Sequence, residues 1–433
     1  MLLEFKTKNY KSFLNEMIFS MMPAPKQSGL DYSVFHTKIG KKNYKGLCSA
    51  VIYGPNAAGK TNIISAMETF KKIILEGNIN AEETILPASN SVKYELIPNN
   101  QLEVPTPTEF SIKFIDQDLL IEYELSLDLG LFLDDSYQKK ILFERLSVNE
   151  NMLYERNDKI HFSNSKVIKK YVSNDFNLNI ESALKIAQNN LISTELFLTN
   201  GFKNIFSSQL AMQVLDWMRH KFLVICRADL LEINQSVLES KPNTVYVENT
   251  TNEAAKLFGI NSNALGYIMP KDGTETQLYS IFEKLNAAIP ARLFESYGTV
   301  RFINTFPLII QAMLEGAVLV LDEFDANIHP MALISIINVF HNNDININHA
   351  QLIFNTHNPI FLNANVFRRD EIKFVERDEE THLSSHYSLS DFKTSGKDGV
   401  RKTTDYMSNY FVGKYGAIKD MDFSELFDDL INK

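Results

Sequence analysis

The sequence predicts an α/β fold: a parallel sheet carrying a phosphate-binding P-loop, with an inserted antiparallel β-sheet and a helical subdomain. Three observations predict it. They are "VIYGPNAAGKTN" at 51–62, "GAVLVLDEFDANIHP" at 316–330, and the runs "FSIKFID", "LLIEYELSLDL" and "KKILFERLSV" between 110 and 148.

The first stretch is a β-branched strand that turns through Gly54 and Gly59 and ends on Lys60 and Thr61. This satisfies G-x-x-x-x-G-K-[ST], with a strand in front and the helical run "TNIISAMETFKKIIL" behind. Across Gly54, Pro55, Asn56, Ala57, Ala58 and Gly59 the backbone can turn its N–H groups inward on phosphates, at the positive end of the helix dipole. Lys60 would reach the β- and γ-phosphates, the Thr61 hydroxyl would ligate Mg²⁺, and Asn62 continues the loop into the helix. A strand-turn-helix that merely contains Gly-Lys is the plain alternative, and the full spacing in this context outweighs it.

Residues 1–20 and 47–53 read as strands leading to the loop, and 60–75 as its helix. From about 94 to 165 the pattern is that of an antiparallel sheet layered on the lobe. From about 166 to 290 helical spacing dominates, as in "ESALKIAQNNLISTELFL" and "QLYSIFEKLNAAI", with strand signal only in "NTVYVEN". The expected organisation is therefore an ATPase lobe over 1–165, a helical insertion over 166–290, and the rest of the ATPase domain with a C-terminal tail over 291–433. Sustained heptads, internal repeats and low-complexity tracts are missing from the sequence.

"GAVLVLDEFDANIHP" has the apolar run of a buried parallel strand, and it delivers Asp322 and Glu323 at its carboxyl end, where ligands bind in open sheets. Asp322 would hold the Mg²⁺ shell and Glu323 would polarise the attacking water. A following strand, "AQLIFNTHNP", places His357 where it can hydrogen-bond a γ-phosphate. In "FESYGTVRF", Ser296 and Gly298 stand at a helix start, which could be an anion site or an ordinary N-cap.

Composition narrows the partners. Hydrophobic residues make up 45% and charged residues 22% of 433, an ordinary globular balance, and no apolar run is long enough to span a membrane. The expected location is cytoplasmic. Cys48 and Cys226 lie in apolar stretches and read as buried thiols. A net charge of −10 argues against a strongly basic nucleic-acid binder, although Lys38, Lys41, Lys42 and Lys45 form a local patch, of a kind that is more often a solvated loop, that leaves DNA contact open.

The order of phosphate loop, long insertion, S-x-G helix start, Asp-Glu strand and strand-end histidine resembles the ABC-type ATPases of the SMC, RecF and OLD group. In detail the chain is similar to bacterial anti-phage ATPases of the RloA or AbiL type, related to the ATPase subunit of the PARIS system. "KNYKSF", "GPNAAGKTN", "ESYGTVR", "LVLDEFDANIHP", "NTHNP" and "YFVGKYGAI" carry the resemblance. It implies Lys60 and Thr61 at the phosphates and Mg²⁺, Asp322 as a metal ligand, Glu323 as the catalytic carboxylate and His357 as the switch histidine. It also implies that Ser296 and Gly298 cap the γ-phosphate of an opposite protomer, so that two ATPs are sandwiched in a homodimer, with Asp325 and Asn327 crossing the interface. Lys11 and Ser12 match a small element near the nucleotide. The signature departs from LSGGQ, with Tyr297 between Ser296 and Gly298, and the glutamine that senses Mg²⁺ is Gln101, Gln117 or Gln138.

The resemblance implies an ATPase that answers a phage-derived trigger and controls a separate effector, a nuclease. A RecF/SMC-like repair ATPase that binds DNA directly is the alternative. An ATPase fused to its own nuclease is disfavoured, because only about 75 residues follow His357 against the roughly 50–250 of a domain. Asp420 and Asp422 in "KDMDFSELFDD" have metal-pair spacing, but such a run more often makes a solvated face.

Overall fold

A computed structural model describes residues 1–433 except 26, 28, 81–94, 135, 164–169, 172–179, 227–248, 258–259, 261–263, 269–276, 327, 396–398, 420–423, 425–426, 428–430 and 432–433. Its centre is a six-stranded sheet in the order Phe222–Ile225, Val318–Leu321, Gln351–Asn355, Ser49–Tyr53, Ile372–Arg377, Ser384–Ser388. The first five strands run parallel and the last is antiparallel. Every residue of the three strands from Val318 to Tyr53 in this order is buried, which is why the sequence there reads as continuous apolar runs.

Alternate side chains of these strands enter two different cores. Ile52, Val318, Val320 and Ile353 join the helix Lys60–Glu76 and a second sheet. Val51, Tyr53, Leu319, Leu321 and Phe354 join the helices Tyr297–Glu315 and Pro330–His341. On the helix Lys60–Glu76, Ile63, Met67, Phe70 and Ile74 form a buried stripe at helical spacing.

The second sheet is antiparallel and seven-stranded: Ile160–Phe162, Asn151–Arg156, Lys140–Val148, Leu119–Asp128, Thr108–Asp116, Leu2–Lys8, Met17–Ser20. One face packs Phe5, Phe110 and Tyr123 on Phe70. The other is solvated and carries cross-strand ion pairs such as Lys113–Glu122 at 3.4 Å and Lys8–Glu109 at 3.3 Å.

The stretch expected to be helical is more mixed. Helices Ile180–Asn189, Ser208–Asp216 and Asn249–Lys256 are present, but Phe222–Ile225 forms an edge strand of the central sheet. "QLYSIFEKLNAAI" is not a helix. It supplies Gln277–Phe282 and Ala287–Pro290, which form a three-stranded sheet with Ala264–Ile268. Leu278 and Ser280 are buried between less buried neighbours, so the period of two prevails over the helical reading. Residues 243–248 of "NTVYVEN" and both Asp420 and Asp422 lie outside the described residues. Among the described residues no helix is long and apolar enough to cross a membrane.

Glu144 ties the antiparallel sheet to the segment that follows the insertion's first helix. Its fully buried carboxylate accepts from the hydroxyls of Tyr123 and Tyr154, both at 2.8 Å, from the backbone N–H of Phe197 at 2.7 Å and of Leu198 at 2.8 Å, and from Arg156 at 3.4 Å. Removing one partner of such a buried pair leaves an uncompensated charge. Glu144→Ala is expected to destabilise the protein by about 3–5 kcal/mol in urea unfolding, and an unchanged midpoint would show that the network does not hold the lobe.

Candidate active site

Strands ending at Tyr53, Leu321, Asn355 and Arg377 bring four chain segments to one edge of the sheet, the crevice outside the carboxyl ends. The glycine-rich loop enters there. Gly54 has φ +159°, and a Cβ on it would stand 2.3 Å from the Val375 carbonyl oxygen. Gly59 has φ +111°, and its Cβ would stand 2.7 Å from Ser384 Oγ and 2.9 Å from Ser12 Oγ. A side chain at either position would lift the loop off its floor.

Lys60 begins the helix and folds back, its buried ammonium donating to the carbonyls of Gly54 at 2.7 Å and Pro55 at 3.0 Å. Burial pushes the amine down to about 8, against the pull of Asp322, Glu323 and Asp325. An ammonium solvated only by two carbonyls gains from an arriving anion.

The acidic strand meets the loop at Thr61, whose hydroxyl donates to Asp322 Oδ1 at 3.1 Å. Asn355 holds both acids: its Nδ2 donates to Asp322 Oδ1 at 2.5 Å, and its Oδ1 accepts from the Glu323 N–H. Glu323 is exposed and has φ +48°, a left-handed conformation that costs a non-glycine residue about 1–3 kcal/mol. Arg301 fixes that turn from the helix Tyr297–Glu315, its Nη2 donating to the Glu323 carbonyl at 2.6 Å. Beside them Asp325 accepts from Thr356 Oγ1 at 2.6 Å. Burial raises the Asp325 carboxyl above its usual range despite that bond. His357 is held below its usual range by burial and then by Lys60, so its imidazole is readily neutral.

The resulting cleft, about 320 Å³, is lined by Asn56 to Asn62 together with Glu323, Asn355, His357 and Arg377. Thus the structure brings the loop, Lys60, Thr61, Asp322, Glu323 and His357 together. Thr61 and Asp322 offer hard oxygens side by side. Magnesium keeps several waters and takes one or two carboxylates plus substrate phosphates, so this pair fits it without a larger cage. Among the described residues no group of three histidines, cysteines or acids could hold a metal by itself.

Other expected residues lie elsewhere. Lys11 does not line the cleft: its ammonium sits on Ser65 Oγ at 2.6 Å and pairs with Glu95. Ser12 lies beneath the loop, accepting from Asn62 Nδ2 at 2.7 Å through its hydroxyl and from the Ser384 N–H at 2.8 Å through its carbonyl. Ser296 caps the helix Tyr297–Glu315 through the Thr299 N–H at 3.1 Å, and neither it nor buried Gly298 lines the cleft. Asn327 lies outside the described residues, and none of Gln101, Gln117 and Gln138 lines the cleft. Both cysteines are free thiols raised by burial, Cys226 to about 12.

Sequence reasoning missed three residues. Asn355 directly precedes Thr356 and His357, and Arg301 ends "ESYGTVR", so both lay within motifs already singled out. Arg377 had no local signal. It reaches the cleft because its strand pairs with Ser49–Tyr53, and its Nε donates to the His382 carbonyl at 2.7 Å while Nη1 lies 3.5 Å from the Ala57 oxygen.

A sequence-family profile described as "AAA domain, putative AbiEii toxin, Type IV TA system" matches residues 49–363. None of the curated proteins matches the sequence significantly. Among solved structures the chain is similar to the SMC head domain from Thermotoga maritima, at 14% identity over 89% of this chain and 98% of that one, with a TM-score of 0.36. It is similar also to the Smc head with an extended coiled coil bound to the C-terminal domain of ScpA, derived from Pyrococcus furiosus, at 14% identity over 89% and 96%, with a TM-score of 0.37.

The lowered Lys60 amine yields a pH prediction. Its folded value of about 8 lies below the ordinary 10.5, so without ligand the charged form is penalised below about pH 8, and the penalty is relieved between 8 and 10.5. Phosphates restore the charge, so nucleotide binding should take up about half a proton at pH 8 and more at pH 9. Calorimetry in two buffers of different ionisation enthalpy reads this uptake, and a binding enthalpy identical in both buffers at pH 9 would overturn it.

Proposed function

The chain belongs to the family described as "AAA domain, putative AbiEii toxin, Type IV TA system", and from that premise we propose that it is a cytoplasmic ATPase that binds and hydrolyses Mg-ATP to regulate anti-phage defence by abortive infection. It would answer a phage-derived trigger and control a separate effector, a nuclease. The observation that carries the catalytic part is the meeting of the buried Lys60 ammonium, the Thr61–Asp322 pair and the exposed Glu323 carboxylate at one cleft. The family's description as a toxin–antitoxin system supports a two-part arrangement.

In this reading the loop N–H groups and Lys60 bind the β- and γ-phosphates. Thr61 and Asp322 hold Mg²⁺, which screens the charge of the phosphates when bound. Glu323 orients the attacking water and accepts its proton, while neutral His357 donates to a γ-phosphate oxygen. Arg301 positions Glu323 through its carbonyl. Binding energy becomes a change of shape only through tighter binding to one conformation than to the other.

We assign Ser296 and Gly298 to the cleft of a second copy in a homodimer. That neither lines the chain's own cleft supports this, as do Leu293, Phe294 and Tyr297, exposed large side chains flanking Ser296. Mixing Lys60→Ala chains with Ser296→Arg chains should leave one intact composite site per mixed dimer and partly restore ATPase activity. Two mutants that stay inactive together despite confirmed subunit exchange would rule out the shared site.

Glu323→Gln should still bind ATP but turn it over at least about a hundredfold more slowly, whereas Lys60→Ala should lose binding as well. In plaque assays the chain alone should protect little and the chain with its neighbouring effector should protect. Either substitution should abolish or misregulate that protection without unfolding the protein. Normal turnover by Glu323→Gln would reassign the carboxylate, and full protection by the chain alone would refute the two-part arrangement.

A further inference from the structure

A second cavity lies at the opposite end of the parallel sheet. The Glu371 carbonyl accepts from the Val51 N–H at the start of the strand Ile372–Arg377, the same strand that ends in the cleft at Arg377. Just before Glu371 the chain lines a space of about 190 Å³ with Arg368 and Arg369, and Arg401 and Lys402 close it from another segment.

Their charges are poorly balanced. Arg368 is neutralised by Asp370, with Nε and Nη2 each at 2.9 Å, and its Nη1 donates to the Gly29 carbonyl at 2.8 Å. Among the described residues the other three cations have no carboxylate partner. Arg369 is only 5% exposed; its Nη2 donates to the carbonyls of Leu389 at 3.0 Å and Phe392 at 2.5 Å, and its Nε is buried without an acceptor. Arg401 gives its Nε to the Thr394 carbonyl at 3.2 Å. Lys402 lies over Gly29, where a Cβ would stand 3.0 Å from its Nζ. Asp370, Glu371 and Asp31 all draw on Arg368, so it is Arg369, Arg401 and Lys402, gathered in one cavity without a described carboxylate of their own, that repel one another unless an anion joins them.

We propose that this cavity binds the phosphate group of a nucleotide or of a nucleic-acid strand, at a site separate from the Lys60 cleft. The Arg401 guanidinium, bonded within the chain only through its Nε, and the Lys402 ammonium, with buried Arg369 from the other segment, match a tetrahedral oxyanion through charge-assisted hydrogen bonds. The space is smaller than the roughly 300–1,000 Å³ of pockets that enclose whole small molecules, so it admits the phosphate while the rest of the ligand stays outside. The inference does not rest on the ATPase reading, because no residue of the cleft takes part.

The test uses the full-length chain carrying Lys60→Ala, which removes the ammonium of the cleft, with and without Arg401→Gln and Lys402→Gln. Both added positions are exposed, and circular dichroism with thermal unfolding checks that the fold is retained. Calorimetric titration compares inorganic phosphate, AMP, and a short single strand bearing either a 5′-phosphate or a 5′-hydroxyl. One phosphate-dependent site per chain, weakened at least about tenfold by the double substitution, is the expected result. Tighter binding of the 5′-phosphorylated strand than of AMP identifies nucleic acid as the source, and equal binding identifies free nucleotides. Binding that is missing for every probe, or unchanged by the double substitution, overturns the proposal.

Discussion

The carboxylate of Asp322 is the contact on which the rest of the site depends. It stands at the end of a fully buried strand and is held by Thr61 from the phosphate loop and by Asn355 from the neighbouring strand, joining positions separated by 261 and 33 residues. Because Asn355 also accepts from the Glu323 N–H, the turn after the acidic strand and the start of the loop helix share one set of hydrogen bonds. A change at any of the three segments is therefore felt by the other two.

That arrangement needs a rigid support, and the two cores provide it. The helix Lys60–Glu76 is clamped between the central sheet and the antiparallel sheet, so its first turn cannot shift without disturbing Phe70 and its aromatic neighbours. The opposite core anchors the helix Tyr297–Glu315, from which Arg301 reaches the carbonyl of Glu323. The strained φ of Glu323 persists because both its N–H and its carbonyl are held from outside the turn.

The strand Ile372–Arg377 connects two charged regions of different character. Its carboxyl end contributes Arg377 to a cleft already holding Lys60, and its amino end follows the Arg368–Asp370 pair in the basic cavity. An acidic protein thus buries a cation in each of two recesses, Lys60 in one and Arg369 in the other, where low dielectric makes a charge more effective than on the open surface.

The sequence by itself determined the local elements whose chemistry is written in consecutive residues. Glycines at 54 and 59 define the loop, an unbroken apolar run defines the strand before Asp322, and strict alternation defines the antiparallel sheet. Each is a short-range consequence of backbone freedom or of burial on one or two faces. Only the tertiary structure decided what depends on strand order. Phe222–Ile225 joins the central sheet although its flanks read as helical, "QLYSIFEKLNAAI" pairs as strands, and Lys11 turns to Glu95 rather than to the cleft. Arg377 enters the cleft, and Arg368 and Lys402 come to share a cavity, through pairings between segments that no local periodicity encodes. Side-chain spacing reports the face a residue occupies, whereas the partner across that face is chosen by the packing of the whole chain.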